Sequence, residues 1–264
     1  MNTNSKFFEF TLTLSDKFIN LIETLSNITE FLYFEVSSDN VFVDCLENNI
    51  CIRVKINNTK LSSLSCPEPI SFCIRSVKLI NIVKFYENIS TTLIFVDNDQ
   101  YINIEAKSYD FDVTYQIQKE NNEIQKMIFE DILSISTIDP CVSITSENNS
   151  KIIEILLNKL NHLYNKQLDD ICVTCSNGFI SFAKTIGTSK IIYKPNNITI
   201  SNQLNKIIIK NFNFYNLNKF DNFNKNTDLS ITFTEKGFTF KYDSEQFGEL
   251  TVVLFPIEKN EFDF

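Results

Sequence analysis

The sequence predicts an α+β fold of two similar domains, each with two helices packed on antiparallel sheets. Two observations lead there. Apolar and polar residues alternate through most of the chain, the period of half-buried strands. The same order of elements also occurs twice. The first half runs from Phe8-Glu9-Phe10 through an amphipathic helix to a strand pair over 34–43, turning at Ser38-Asp39-Asn40. The second half runs from a helix near 150–164 to a strand pair over 171–182, turning at Asn177-Gly178. A chain of 264 residues holds two domains of about 130 residues, an ordinary domain size. The expected division is 1–118, a connector over 119–139, and 140–264.

The elements follow in chain order. Ser15 can cap the first helix, in which Phe18, Leu21, Ile22 and Leu25 fall at i, i+3, i+4, i+7. Lys17, Asn20 and Thr24 form its other face. Ser76 opens the second helix, with Val77, Leu79, Ile80, Ile82 and Val83 inward and Lys78, Asn81, Lys84 and Asn88 as a polar stripe. The third follows Ser150: Ile152, Ile153, Leu156, Leu160 and Leu163 are apolar, and Lys151, Glu154, Asn158 and Lys159 polar. In the fourth, 210–220, Asn and Phe alternate, so helix and strand readings both stand. Between the helices, period-two strands are expected over 50–56, 92–96, 101–106, 111–117, 190–193, 229–233, 238–242 and 250–254. The stretch 119–139 begins with the polar run Lys119-Glu120-Asn121-Asn122-Glu123 and continues through Met127, Ile128, Phe129, Ile132, Leu133 and Ile135. It reads as a connector lying over the surface with apolar teeth.

Composition narrows the function classes. Only 4 Gly occur against 25 Phe, which opposes Gly-rich phosphate loops and favours Phe- and Ile-packed sheets. The formal net charge of −9 opposes a uniformly basic nucleic-acid binder but allows a local basic face. No apolar run reaches membrane-spanning length and the N-terminus is polar, so neither a transmembrane segment nor a signal peptide is expected. Seven scattered Cys fit reduced thiols better than a disulfide framework.

Catalytic and metal readings are weak. Cys172-Val173-Thr174-Cys175 is a single CxxC, whereas zinc needs four ligands, and residues three apart on a strand point to opposite faces. His162 is the only His and sits at a helix end without a partner of suitable spacing. Asp97, Asp99 and Glu105 lie around an expected hairpin turn, where Asp is an ordinary turn former. No catalytic residue, metal ligand or cofactor is expected.

These blocks together resemble the eukaryotic-type DNA sliding clamps, the proliferating cell nuclear antigen family. Phe8-Glu9, with Leu21-Ile22-Glu23 and Leu25 in the helix after it, resembles the opening strand and first pore helix. Ser37-Ser38-Asp39-Asn40-Val41 resembles the Ser-rich turn, and Ile104-Glu105-Ala106 with Tyr115 the subunit-joining edge of the first domain. Asp170-Ile171-Cys172-Val173-Thr174-Cys175 resembles the strand after the third helix. Tyr242, Gly248, Leu250 and Leu254-Phe255-Pro256 resemble the C-terminal strands and tail.

The resemblance implies a DNA-clamp fold and a non-enzymatic ring, a homotrimer encircling duplex DNA without regard to its sequence. Such a ring is a polymerase processivity factor in DNA replication and repair, placed on DNA by a clamp loader. It implies DNA-facing residues Lys17, Asn20, Lys78, Asn81, Lys84, Lys151, Asn158, Lys159 and Lys210. It implies a pocket for clients carrying Gln-x-x-aliphatic-x-x-aromatic-aromatic, built from Leu46, Ile50, Ile135, Ile138, Val253, Phe255 and Pro256. Subunits would join through Tyr115, Ile117, Lys190 and Ile192. The expected location is the nucleus, or a viral replication site. The alternative within the resemblance is a checkpoint-type or viral clamp-like subunit, acting in a heterotrimer or as a monomer.

Overall fold

The computed structural model describes residues 8–47, 50–98, 100–121, 129, 131–134, 142–146, 169–176, 179–186, 188–194, 199–201, 207–212, 229–234, 236–244 and 248–255. The expected third helix, His162, Asp99, Ile135, Ile138 and Pro256 lie outside them. The chain divides into two compact units. The first comprises Met1–Cys45, Arg53–Gln125 and Ser244–Leu250, the second Leu46–Ile52, Lys126–Asp243 and Thr251–Phe264.

The first unit opens with β1 (Glu9–Thr13) and α1 (Asp16–Ser26). The Ser15 side chain accepts from the Phe18 backbone N–H at 3.2 Å, satisfying one of the helix's orphan donors as expected. Phe18, Ile19, Leu21, Ile22 and Leu25 are buried. Then come β2 (Phe31–Val36), β3 (Val41–Glu47), β4 (Ile50–Ile56), β5 (Leu61–Ser65) and β6 (Ile70–Arg75), of which the end of β3 and the start of β4 belong to the second unit. The sequence reading did not include β5 and β6. Helix α2 (Ser76–Phe85) follows β6 directly and packs beside α1.

Ser76 opens α2 as expected, and its hydroxyl donates to the Thr29 carbonyl at 2.7 Å, tying the helix start to the chain ahead of β2. One detail of α2 differs from expectation. Val77 is 49% exposed rather than inward. The buried stripe is Leu79, Ile80, Ile82, Val83 and Tyr86, and Val77 lies about 200° around the helix from Leu79.

The unit closes with β7 (Thr92–Asn98), β8 (Tyr101–Lys107) and β9 (Asp112–Gln118). Phe8, Phe10, Phe34, Phe72 and Phe95 stack through its core at centroid distances of 4.5–6.3 Å. Asp97 does not sit in a turn. It pairs with Ile102 within the β7–β8 ladder, is buried, and is ion-paired to Lys119.

The remaining strands are β10 (Val142–Ser146), β11 (Asp169–Ser176), β12 (Phe179–Ile186), β13 (Ser189–Tyr193), β14 (Thr199–Ser201), β15 (Ile207–Phe212), β16 (Leu229–Phe233), β17 (Phe238–Ser244) and β18 (Gly248–Leu254). The sequence reading missed β10 and β14. Lys210 lies on β15, and 213–220, the rest of the expected fourth helix or strand, lies outside the described residues. The CxxC lies on β11.

Strand order makes the internal repeat explicit. The sheet β5-β1-β7-β8-β9 is matched by the run β14-β10-β16-β17-β18, and β6-β2-β3-β4 by β15-β11-β12-β13. Each strand has its counterpart nine strands later, so the two halves share one topology.

An ion cluster crosses the β2-β3-β4 face, with Asp44 buried and Arg53 and Glu35 partly exposed. Arg53 Nε donates to Asp44 at 2.9 and 3.1 Å, and its Nη2 reaches Asp44 at 2.5 Å and Glu35 at 3.5 Å. Burial pushes the Asp44 carboxyl up from 3.8 to about 6; Arg53's hydrogen bond and charge oppose the rise and Glu35 adds to it. The folded chain therefore holds this proton to a higher pH than the unfolded chain does. The group's contribution to stability is present below about pH 3.8 and is lost as pH rises through about 6. The stability of wild type relative to Asp44→Asn should fall by on the order of 2–3 kcal/mol between pH 4 and pH 7. Urea unfolding of both proteins across that range checks it; a pH-independent difference would contradict it.

Candidate functional site

The α1–α2 surface carries the expected DNA-facing residues of the first half. Asn20, Lys78, Asn81 and Lys84 are exposed, and Lys17 lies on α1. The surface is not a plain row of cations. Lys84 Nζ meets Glu23 of α1 at 2.5 Å, which places a carboxylate among the lysines. Asp16 is exposed at the start of α1. Lys151, Asn158 and Lys159 lie outside the described residues, and Lys210 is on a strand.

The expected joining residues lie on two sheet ends. Strand β9 is the last of its five-stranded sheet and β13 the last of its four-stranded sheet. The β9 register pairs Val113, Tyr115 and Ile117 with Ala106, Ile104 and Ile102, all three of which are buried. Those β9 side chains thus share the core face: Ile117 is buried, Tyr115 half-buried and Val113 partly open. Tyr115 and Tyr86 hydroxyls lie 2.8 Å apart, which ties the edge to the end of α2. On β13, Ser189, Lys190, Ile191 and Ile192 are all exposed.

The counterparts of these two ends already have partners in the chain. Strand β18 corresponds to β9 and β4 to β13, and β18 is the hydrogen-bonded neighbour of β4. Gly248 at the start of β18 stands against the Lys55 carbonyl and the Asn57 N–H.

Of the expected client pocket, Ile50 and Val253 are fully buried, and Leu46 and Phe255 are half-buried. All four belong to the second compact unit. Two ion pairs that sequence reading missed hold the root of the connector. Lys119 pairs with buried Asp97, and its backbone N–H donates to the Gln100 carbonyl at 2.9 Å. Glu120 bonds Arg75 at 3.1 Å, Arg75 also meets Glu30 at 2.9 Å, and the Glu120 N–H donates to the Cys73 carbonyl at 2.8 Å. No sequence signal marks these pairs, because their partners are 22 and 45 residues apart. Among the described residues, no three of His, Cys, Asp or Glu gather as metal ligands.

No family model and no curated protein matches the sequence. Solved structures do match the fold. The chain is similar to PCNA from Thermococcus kodakaraensis, with a TM-score of 0.69 at 12% identity, covering 94% of this chain and 99% of that one. It is also similar to the proliferating cellular nuclear antigen of Entamoeba histolytica, with a TM-score of 0.65 at 14% identity, covering 94% and 98%. Both likenesses span nearly the full length of each chain, and the strand order inside this chain repeats in its two halves. The chain has the fold of the PCNA clamps, as a divergent example of it.

Proposed function

We propose that this chain is a ring-forming DNA sliding clamp, a non-catalytic processivity factor that encircles duplex DNA and tethers polymerase and other replication and repair proteins. The observation that carries the proposal is the repeat together with its two open ends. Within the chain, β18 and β4 use each other as partners. Their counterparts β9 and β13 end their sheets with no further strand beside them among the described residues, and an unpaired edge is a liability that proteins cover. A second copy offers each edge the partner its counterpart already has. Such a contact is head-to-tail, and it forms a ring when the rotation closes.

The α1–α2 surface supplies the DNA-facing side in this reading. Phosphate contacts scale with free cations, and Glu23 engages Lys84, so attraction to DNA is modest and its salt dependence shallow. A closed ring tolerates that, because topology keeps it on the duplex. Leu46, Ile50, Val253 and Phe255 are the proposed floor for an extended client peptide, with the 119–139 connector as its wall.

Light scattering tests assembly first. Wild type should scatter as three times 30.7 kDa at micromolar concentration. Tyr115→Ala, which removes the side chain bracing β9 on Tyr86, should shift the protein to monomer while its circular dichroism stays that of wild type. A wild type of single-chain mass would overturn the homotrimer and leave the heterotrimeric or monomeric clamp-like subunit in its place.

A further inference from the structure

The end of α2 exposes an apolar side chain that its polar neighbours do not explain. Phe85 is 67% exposed, beside Lys84 and Asn81 on a face where Val77, two turns back, is also open. Its ring meets Tyr86 edge-on at 5.0 Å; Tyr86 is fully buried and lies 5.4 Å from Phe111 and 6.3 Å from Tyr115. Phe85 is thus the open end of an aromatic chain that reaches the core side of β9, where Val113 is also partly open. Ile89 is exposed just beyond the helix. Exposed aromatic and aliphatic side chains gathered next to a strand edge that has no partner among the described residues mark an interaction surface.

We propose that Phe85 is the side-chain anchor for a second copy's β13, received on the core side of the β9 edge. This rests on the head-to-tail reading above and adds which residues carry its energy. Strand β13 suits the role in two respects. It exposes Ile191 at 43% and Ile192 at 52%, and consecutive strand residues point to opposite faces. Whatever register the added strand takes, one isoleucine falls on the side where Phe85, Phe111 and Val113 lie. Charge also matches: Asp110 and Asp112 are exposed at the start of β9, and Lys190 and Lys194 are exposed along and just after β13. An exposed aromatic that becomes buried against an aliphatic partner is the usual composition of an interface anchor.

A mutant cycle tests it by sedimentation over a dilution series. The proteins are wild type, Phe85→Ser, Ile191→Ser, Ile192→Ser and the two doubles that combine Phe85→Ser with each isoleucine change. All three positions are exposed, so thermal melts of the single variants at high dilution should match wild type. Phe85→Ser should weaken assembly at least about tenfold. It should couple to one isoleucine only, since the other points away. Assembly equal to wild type in Phe85→Ser overturns the anchor and leaves the ring intact, as does coupling to neither isoleucine or equally to both. A wild type that never assembles overturns the anchor and the ring together.

Discussion

Gly248→Ala is expected to destabilise the protein by about 4 kcal/mol, through two independent costs. The first is backbone strain: φ at Gly248 is +123°, a region that L side chains rarely adopt. The second is space. A Cβ there would stand 2.1 Å from the Lys55 carbonyl oxygen and 2.9 Å from the Asn57 nitrogen. Both are backbone atoms, so no side-chain rotation relieves the contact, and β18 must move away from the end of β4. That loss is a large fraction of the roughly 5–15 kcal/mol that separates folded from unfolded chains. Urea unfolding followed by circular dichroism checks it. A midpoint indistinguishable from wild type would show that the β4–β18 approach accommodates a methyl group, and would overturn the prediction.

Lys119→Met should cost about 3 kcal/mol, because it strands a charge rather than removing a contact. Asp97 is buried in the β7–β8 ladder with Lys119 as its ion-pair partner, and its second carboxylate oxygen has no hydrogen-bond partner among the described residues. The double variant Asp97→Asn with Lys119→Met should recover most of the loss, since it leaves no buried charge. Additive losses in that cycle would show the pair to be incidental. Lys119 also opens the connector, so the single variant should raise hydrogen exchange at the Lys119 and Glu120 amides, which donate to Gln100 and Cys73.

Local pattern determined most of the described elements. Ser15 followed by apolar residues at helical spacing specified α1 and its cap, because a cap is satisfied within three residues of itself. Alternation specified β4 over Ile50–Ile56 and β16 over Leu229–Phe233 to the residue, because one face of each strand is apolar whatever it packs against. The two-domain repeat was legible for the same reason: it is a repetition of such patterns. Strand β5 escaped because Leu61-Ser62-Ser63-Leu64-Ser65 alternates poorly, and its pairing with β1 rather than its own sequence makes it a strand.

Only tertiary structure decided the partners. Ser76 opens α2 as its position suggests, but its hydroxyl serves Thr29, 47 residues away, because β6 delivers the chain to α2 at the point where that carbonyl needs a donor. Asp97 looks like a turn residue and is instead one half of a buried pair. Lys84 looks like a free cation until α1 brings Glu23 against it. Phe85 looks like an ordinary helix residue until the core closes on Tyr86 and leaves its neighbour outside. A period of 2 or 3.6 records which side of an element is apolar. What meets that side is decided by chain closure over tens of residues, and no local pattern records it.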